Sequence, residues 1–66
     1  MPIMSASWNA IERQLIVAAR KGDWTEVQRL VDNDDTFRQV SAKAILMAAA
    51  VAKTFELADI LSHLIE

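Results

Sequence analysis

The stretch Ala18-Ala19-Arg20-Lys21-Gly22-Asp23-Trp24-Thr25-Glu26 closes one helix and opens another. Arg20 and Lys21 carry the charge sign that a helix C-terminus favours. Gly22, the only glycine in the chain, stands where a left-handed residue ends a helix without a steric penalty. Asp23 takes the N-cap position three residues before Glu26. This is a capping box with Asp in place of Ser, in which Asp23 accepts from the Glu26 N–H and Glu26 reaches back. A helix, a two-residue turn and a second helix make an αα-hairpin.

Upstream, Trp8, Ile11, Leu15, Ala18 and Ala19 recur at three- and four-residue steps, with Glu12, Arg13, Gln14 and Arg20 on the polar side. This spacing predicts a helix over 6–21, capped by Ser5 or Ser7. Downstream, the second helix has a buried stripe of Trp24, Val27, Leu30 and Val31 and ends at Asp32-Asn33-Asp34-Asp35, residues that favour turns and oppose a helix C-terminal dipole. Residues 36–40 have no regular period, although Phe37 and Val40 can reach a core from a short turn of helix. Ser41 caps a third helix over 42–53 that is apolar on every side from Ala44 to Ala52. Thr54 caps a fourth over 55–64. Trp24 and Phe55, at equivalent helix starts, are expected in the core. The fold class is all-α: four short helices as two stacked helical hairpins, over 6–32 and 41–65, in a single helical domain spanning 1–66.

The two hairpins align with each other at an offset of 31 residues. Leu15-Ile16-Val17-Ala18-Ala19 falls on Leu46-Met47-Ala48-Ala49-Ala50, Asp23 on Thr54, Trp24 on Phe55 and Leu30 on Leu61. The run Leu15 to Asp23, followed by Glu26-Val27 and Leu30-Val31, is similar to the inner helix, glycine turn and outer helix of the ankyrin repeat. The resemblance is clearest over residues 15–31. There is no Thr-Pro-Leu-His before either inner helix, Lys53 stands in place of the second turn glycine, and the linker is short. These departures tell against the projecting hairpin finger of that family. The resemblance implies a stack of helical hairpins, or failing that a small helical bundle, that binds other proteins and catalyses nothing.

Composition narrows the function. The chain has 66 residues, 53% of them apolar, with seven Lys plus Arg, nine Asp plus Glu, one His and no Cys. The apolar content is that of a globular chain. The lack of cysteine removes disulfides, thiolate metal sites and cysteine nucleophiles. A net charge of -2 supplies no basic footprint for phosphate, so nucleic acid is disfavoured. The longest apolar run, Ala44 to Ala52, is too short for a membrane span, and the start of the chain has no basic signal-peptide region. A cytoplasmic, soluble protein is expected.

No constellation for chemistry emerges. A calcium loop starting at Asp32 would place Phe37 where glycine is needed and Lys43 where a bidentate Glu is needed. His63 has Asp59 four residues earlier on the same helix face, which makes a local pair. The third and fourth helices could pass for a DNA-reading pair, but the fourth carries Glu56, Asp59 and Glu66 and neither Lys nor Arg. No enzyme activity, cofactor or metal is expected.

The positive signal is a surplus of apolar surface. A helix apolar all round is buried, and three short partners must cover it while also hiding the aromatics. An uncovered patch marks an oligomer or partner interface. The expectation is a non-catalytic protein-protein interaction protein, a small inhibitor or adaptor with a protein partner, and a homodimer. The alternatives are a self-associating structural unit and, behind it, a nucleic-acid role through the basic segment around Arg38 and Lys43. Trp8 and Phe37 are the expected partner anchors, with Arg38, Asp34 and Asp35 as charged contacts.

Overall fold

The structure is a computed structural model that describes residues 8–65. It holds five α-helices and no strand among the described residues: α1 (Ala10–Lys21), α2 (Trp24–Asp32), α3 (Asp34–Phe37), α4 (Ala42–Val51) and α5 (Phe55–His63). The count exceeds the expected four because the acidic cluster starts a helix as well as ending one. The Asn33 side chain accepts from the Asp35 and Thr36 N–H groups at 3.0 and 3.3 Å. Asp34 and Asp35 then occupy the first turn of α3, where the helix dipole favours them.

Ser5 and Ser7 lie outside the described residues, and α1 begins at Ala10 with Asn9 as its cap. The Asn9 side chain accepts from the Glu12 N–H at 2.8 Å, and the Glu12 carboxylate accepts from the Asn9 N–H at 3.0 Å. This is a full capping box. At α2 the expected box is only half formed. Asp23 accepts from the Glu26 N–H at 3.2 Å, but both Glu26 oxygens bind Arg29, at 3.0 and 2.6 Å. That ion pair lowers the Glu26 pKa, through the Arg29 hydrogen bond first, and raises that of Arg29. Gly22 adopts φ +76°, the left-handed conformation expected of it.

The core is Leu15, Ala18 and Ala19 from α1, Val27 and Leu30 from α2, Ala44, Ile45 and Ala48 from α4, and Leu57 and Leu61 from α5. The small residues Ala18, Ala19, Ala44 and Ala48 let α1 and α4 approach closely, and this is the most extensive helix pair. The two helices run parallel, because their starts meet and their ends meet. At the starts, Glu12 Oε2 accepts from the Ser41 N–H at 2.9 Å and Asn9 Nδ2 donates to the Gln39 carbonyl at 2.9 Å. At the ends, the Lys53 N–H donates to the Ala19 carbonyl at 3.0 Å. Glu12 is thus only 6% exposed, a buried tie rather than a member of the polar face. The Asn9 N–H, then the Ser41 N–H and hydroxyl, hold its carboxyl below the usual range against the opposing effect of desolvation. The outer helices complete the core, α2 against α1 and α5 against α4.

Three expectations about burial are corrected. Phe55 is 95% exposed and Trp24 43% exposed, so neither is a core residue. Phe55 lies two residues from buried Leu57, about 200° around the helix, and therefore faces away from the core. Trp24 is the first residue of α2, and a helical side chain tilts toward the N-terminus, which here carries it past the end of the hairpin. The third correction concerns α4, which is not buried all round: Leu46 is 54% exposed and Ala50 is exposed as well.

The exposure of Leu46 has a cause in the repeat. The caps match at 31 residues, as do the first and last positions of the outer helices: Asp23 and Thr54 both cap, Trp24 and Phe55 both lie outside, and Leu30 and Leu61 are both buried, whereas Val27 pairs with buried Leu57 at 30. The inner helices match instead at 30 residues, with Leu15 on Ile45 and Ala18 on Ala48, all buried. The turn between α1 and α2 holds residues 22–23, whereas that between α4 and α5 holds 52–54, one more. One extra residue shifts the register by about 100° on the inner helix. The residue aligned with buried Leu15 at the longer offset, Leu46, consequently turns toward solvent.

Candidate protein-contact surface

The exposed apolar residues of the second half include Leu46, Ala50, Phe55 and Leu64. The outward stripe of α4 carries Leu46 and Ala50, at i and i+4. Beside it runs an open groove of about 410 Å³ between α4 and α5, walled by Ala49, Ala50, Ala52 and Ala58. Phe55 and Lys53 stand at its mouth. Thr54 fixes this geometry by accepting from the Leu57 N–H at 3.2 Å, which sets the first turn of α5 and with it the outward direction of Phe55.

Lys53 is the one charged residue that lines the groove; Lys43, Glu56 and Asp59 are exposed outside it. Lys43 and Lys53 lie at the two ends of the exposed α4 side, which has no acid. On α5, Glu56 and Asp59 are exposed, one residue beyond Phe55 and Ala58. His63 Nδ1 donates to the Asp59 carbonyl at 2.7 Å and lies 3.8 Å from its carboxylate, the local pairing expected from the spacing.

A second groove of about 520 Å³ runs between α1 and α2, with Val17 and Ala18 in it and Arg13 and Lys21 facing Asp23 and Glu26. Its charges are mixed and one of them, Glu26, is already committed to Arg29. Among the described residues no group of three or more His, Cys, Asp or Glu side chains could hold a metal ion, and no helix is long and apolar enough to cross a membrane.

The residues proposed from the sequence occupy the opposite end of the helices. Phe37 is half-buried and packs against the core, and Trp8 is half-buried. The Asn9–Gln39 hydrogen bond brings the residue after Trp8 against the turn after α3, so the two aromatics share one end of the molecule. Asp34 and Asp35 are exposed in the first turn of α3, and Arg38 is its exposed C-cap. Sequence reasoning missed Leu46 and Phe55 as surface residues. The signal that could have found Phe55 was present: Leu57 and Leu61 at i and i+4 set the buried face of α5, and Phe55 is off it.

No family model, no curated protein and no solved structure matches this chain.

Proposed function

We propose that this chain is a non-catalytic protein-contact protein, a small inhibitor or adaptor that binds a larger protein through an apolar helical surface. The observation that carries the reading is Phe55, 95% exposed beside an alanine-walled groove. A large aromatic left in water next to a concave apolar surface is the arrangement from which interface hot spots are made. The architecture we propose beneath it is two helical hairpins, α1–α2 and α4–α5, stacked in the same orientation. The parallel course of α1 and α4 and the pairing of each with its own outer helix support this, as does the ankyrin-like run at residues 15–31. The residue content favours contact over catalysis, with one His and no Cys in the chain. A cytoplasmic location fits the lack of cysteine.

The test replaces Phe55 with a photo-crosslinking phenylalanine analogue and irradiates the protein in cells that produce it. A covalent adduct with a protein, lost when the analogue is moved to exposed Gln28 on α2, supports the reading. The absence of any protein adduct at position 55 overturns it. Self-association is the second reading, favoured by the same exposed apolar residues, Leu46 and Phe55.

A further inference from the structure

We infer that the α4–α5 groove takes an amphipathic helix of the larger protein, and that this helix carries a carboxylate beside its apolar face, met by Lys53. This rests on the protein-contact reading and states the chemistry of its partner. The walls of the groove are Ala49, Ala50, Ala52 and Ala58, Phe55 stands at its mouth, and Lys53 is the one charged residue in the lining. An apolar trough with a single cation is matched by apolar side chains and an acid. A basic segment would bring a like charge onto Lys53.

Lys53 is positioned for this role by the first hairpin. Its N–H donates to the Ala19 carbonyl at 3.0 Å, and its stem lies across Gly22, where a Cβ would come 3.0 Å from Lys53 Cδ and 3.3 Å from Lys53 Cβ. A stem resting on a turn has less conformational freedom to lose on binding. Among the described residues no ion pair engages its ammonium group.

The surroundings of Lys53 share its sign. Arg20 and Lys21, in the last turn of α1, adjoin Gly22, and neither forms an ion pair among the described residues. Of the acids at that end, Asp23 accepts from the Glu26 N–H, Glu26 pairs with Arg29, and Glu56 is exposed outside the groove. The far end of the helices is acidic instead, with Asp32, Asp34 and Asp35 against Arg38. An acidic segment is therefore drawn to the end that holds Lys53 and Phe55.

The described residues hold no strand to which an extended segment would add, so the mode open to the occupant is a helix laid in the groove, with apolar anchors at three- and four-residue steps. Helices of ten and nine residues, α4 and α5, are each about 15 Å long, which covers about three turns of such a segment.

The photo-crosslinking analogue at position 55 is the probe, in chains that also vary Lys53, with circular dichroism of each purified variant as the folding control. Lys53→Met keeps an unbranched stem on Gly22 and removes the charge; the adduct yield should fall about five-fold, as for one lost ion pair. Lys53→Arg should leave the yield within about two-fold, and Lys53→Glu should lower it further than Lys53→Met. Changing the carboxylate nearest the attachment point in the captured protein to Lys should restore the yield with Lys53→Glu. An adduct that Lys53→Met leaves unchanged, or that Lys53→Glu strengthens, overturns the acidic helix while the contact reading stands. A covalent dimer of this chain as the sole adduct overturns it as well. The lack of any adduct ends both.

Discussion

Glu12→Gln and Glu12→Ala measure how much of the α1–α4 packing depends on one carboxylate. Its two oxygens accept from the Asn9 N–H at 3.0 Å and the Ser41 N–H at 2.9 Å. Net contributions of hydrogen bonds to charged groups are about 1.5–3 kcal/mol each, and water can reach both N–H groups once the side chain is gone. Glu12→Ala should therefore cost about 3–4 kcal/mol, the lower part of the summed range. Glu12→Gln keeps one acceptor oxygen and turns an amide nitrogen toward the other N–H, so about half of that loss is expected. A chain of 66 residues has a total stability of roughly 3–10 kcal/mol, which makes either change easy to see in urea unfolding followed by circular dichroism. The pH dependence adds an independent check. Glu12 has a folded pKa below its ordinary value of 4.5, so its stabilisation is fully present above that value and is lost as pH falls through the lower, folded one. The stability gap between wild type and Glu12→Gln should be constant at neutral pH and shrink below pH 4.5. A Glu12→Ala loss under about 0.5 kcal/mol, the size of an ordinary surface change, or a gap that grows in acid, would refute the reasoning.

Asn9→Ala removes the cap on Glu12 N–H and the bond to Gln39, at a cost of about 1–2 kcal/mol; combined with Glu12→Ala in a double-mutant cycle it should fall short of additivity, because the two side chains share one box. Gly22→Ala forces a side chain into φ +76°, with its Cβ 3.0 Å from the Lys53 Cδ. The left-handed backbone alone costs about 1–2 kcal/mol, so Tm should drop by about 4–8 °C per kcal/mol lost. Adding Lys53→Ala should recover only a minor part of that drop in a thermal melt. Leu61→Ala, at a fully buried position, should cost about 2–5 kcal/mol, whereas Phe55→Ser at low protein concentration should stay within about 0.5 kcal/mol of wild type; comparable losses in urea titrations would mean that Phe55 is a core residue after all.

What the residues determined by themselves is local. Gly22 ends α1 because only glycine takes a left-handed backbone freely, and Asp23, Ser41 and Thr54 start α2, α4 and α5 because each has a short side-chain oxygen before an apolar run. The all-helical class, four of the five helices and most of the core, including Leu15, Val27, Leu30 and Leu61, follow from those stops and from the three- and four-residue spacing. The tertiary structure decided which way the ambiguous residues face. Residues 44–52 are apolar throughout, so no period in the sequence distinguishes Ile45, which is buried, from Leu46, which is exposed; that choice comes from docking α4 against α1 and α5. Glu12 looks like any polar-face residue until Ser41, 29 positions away, brings a second N–H to its carboxylate. The proposed contact surface is a product of the same step: a turn longer by one residue rotates α4 relative to its counterpart, and Leu46 comes to lie outside. Helix ends are fixed by neighbours within four residues, which a sequence displays, whereas the exposed face of an all-apolar helix is fixed by whatever packs against the rest of it.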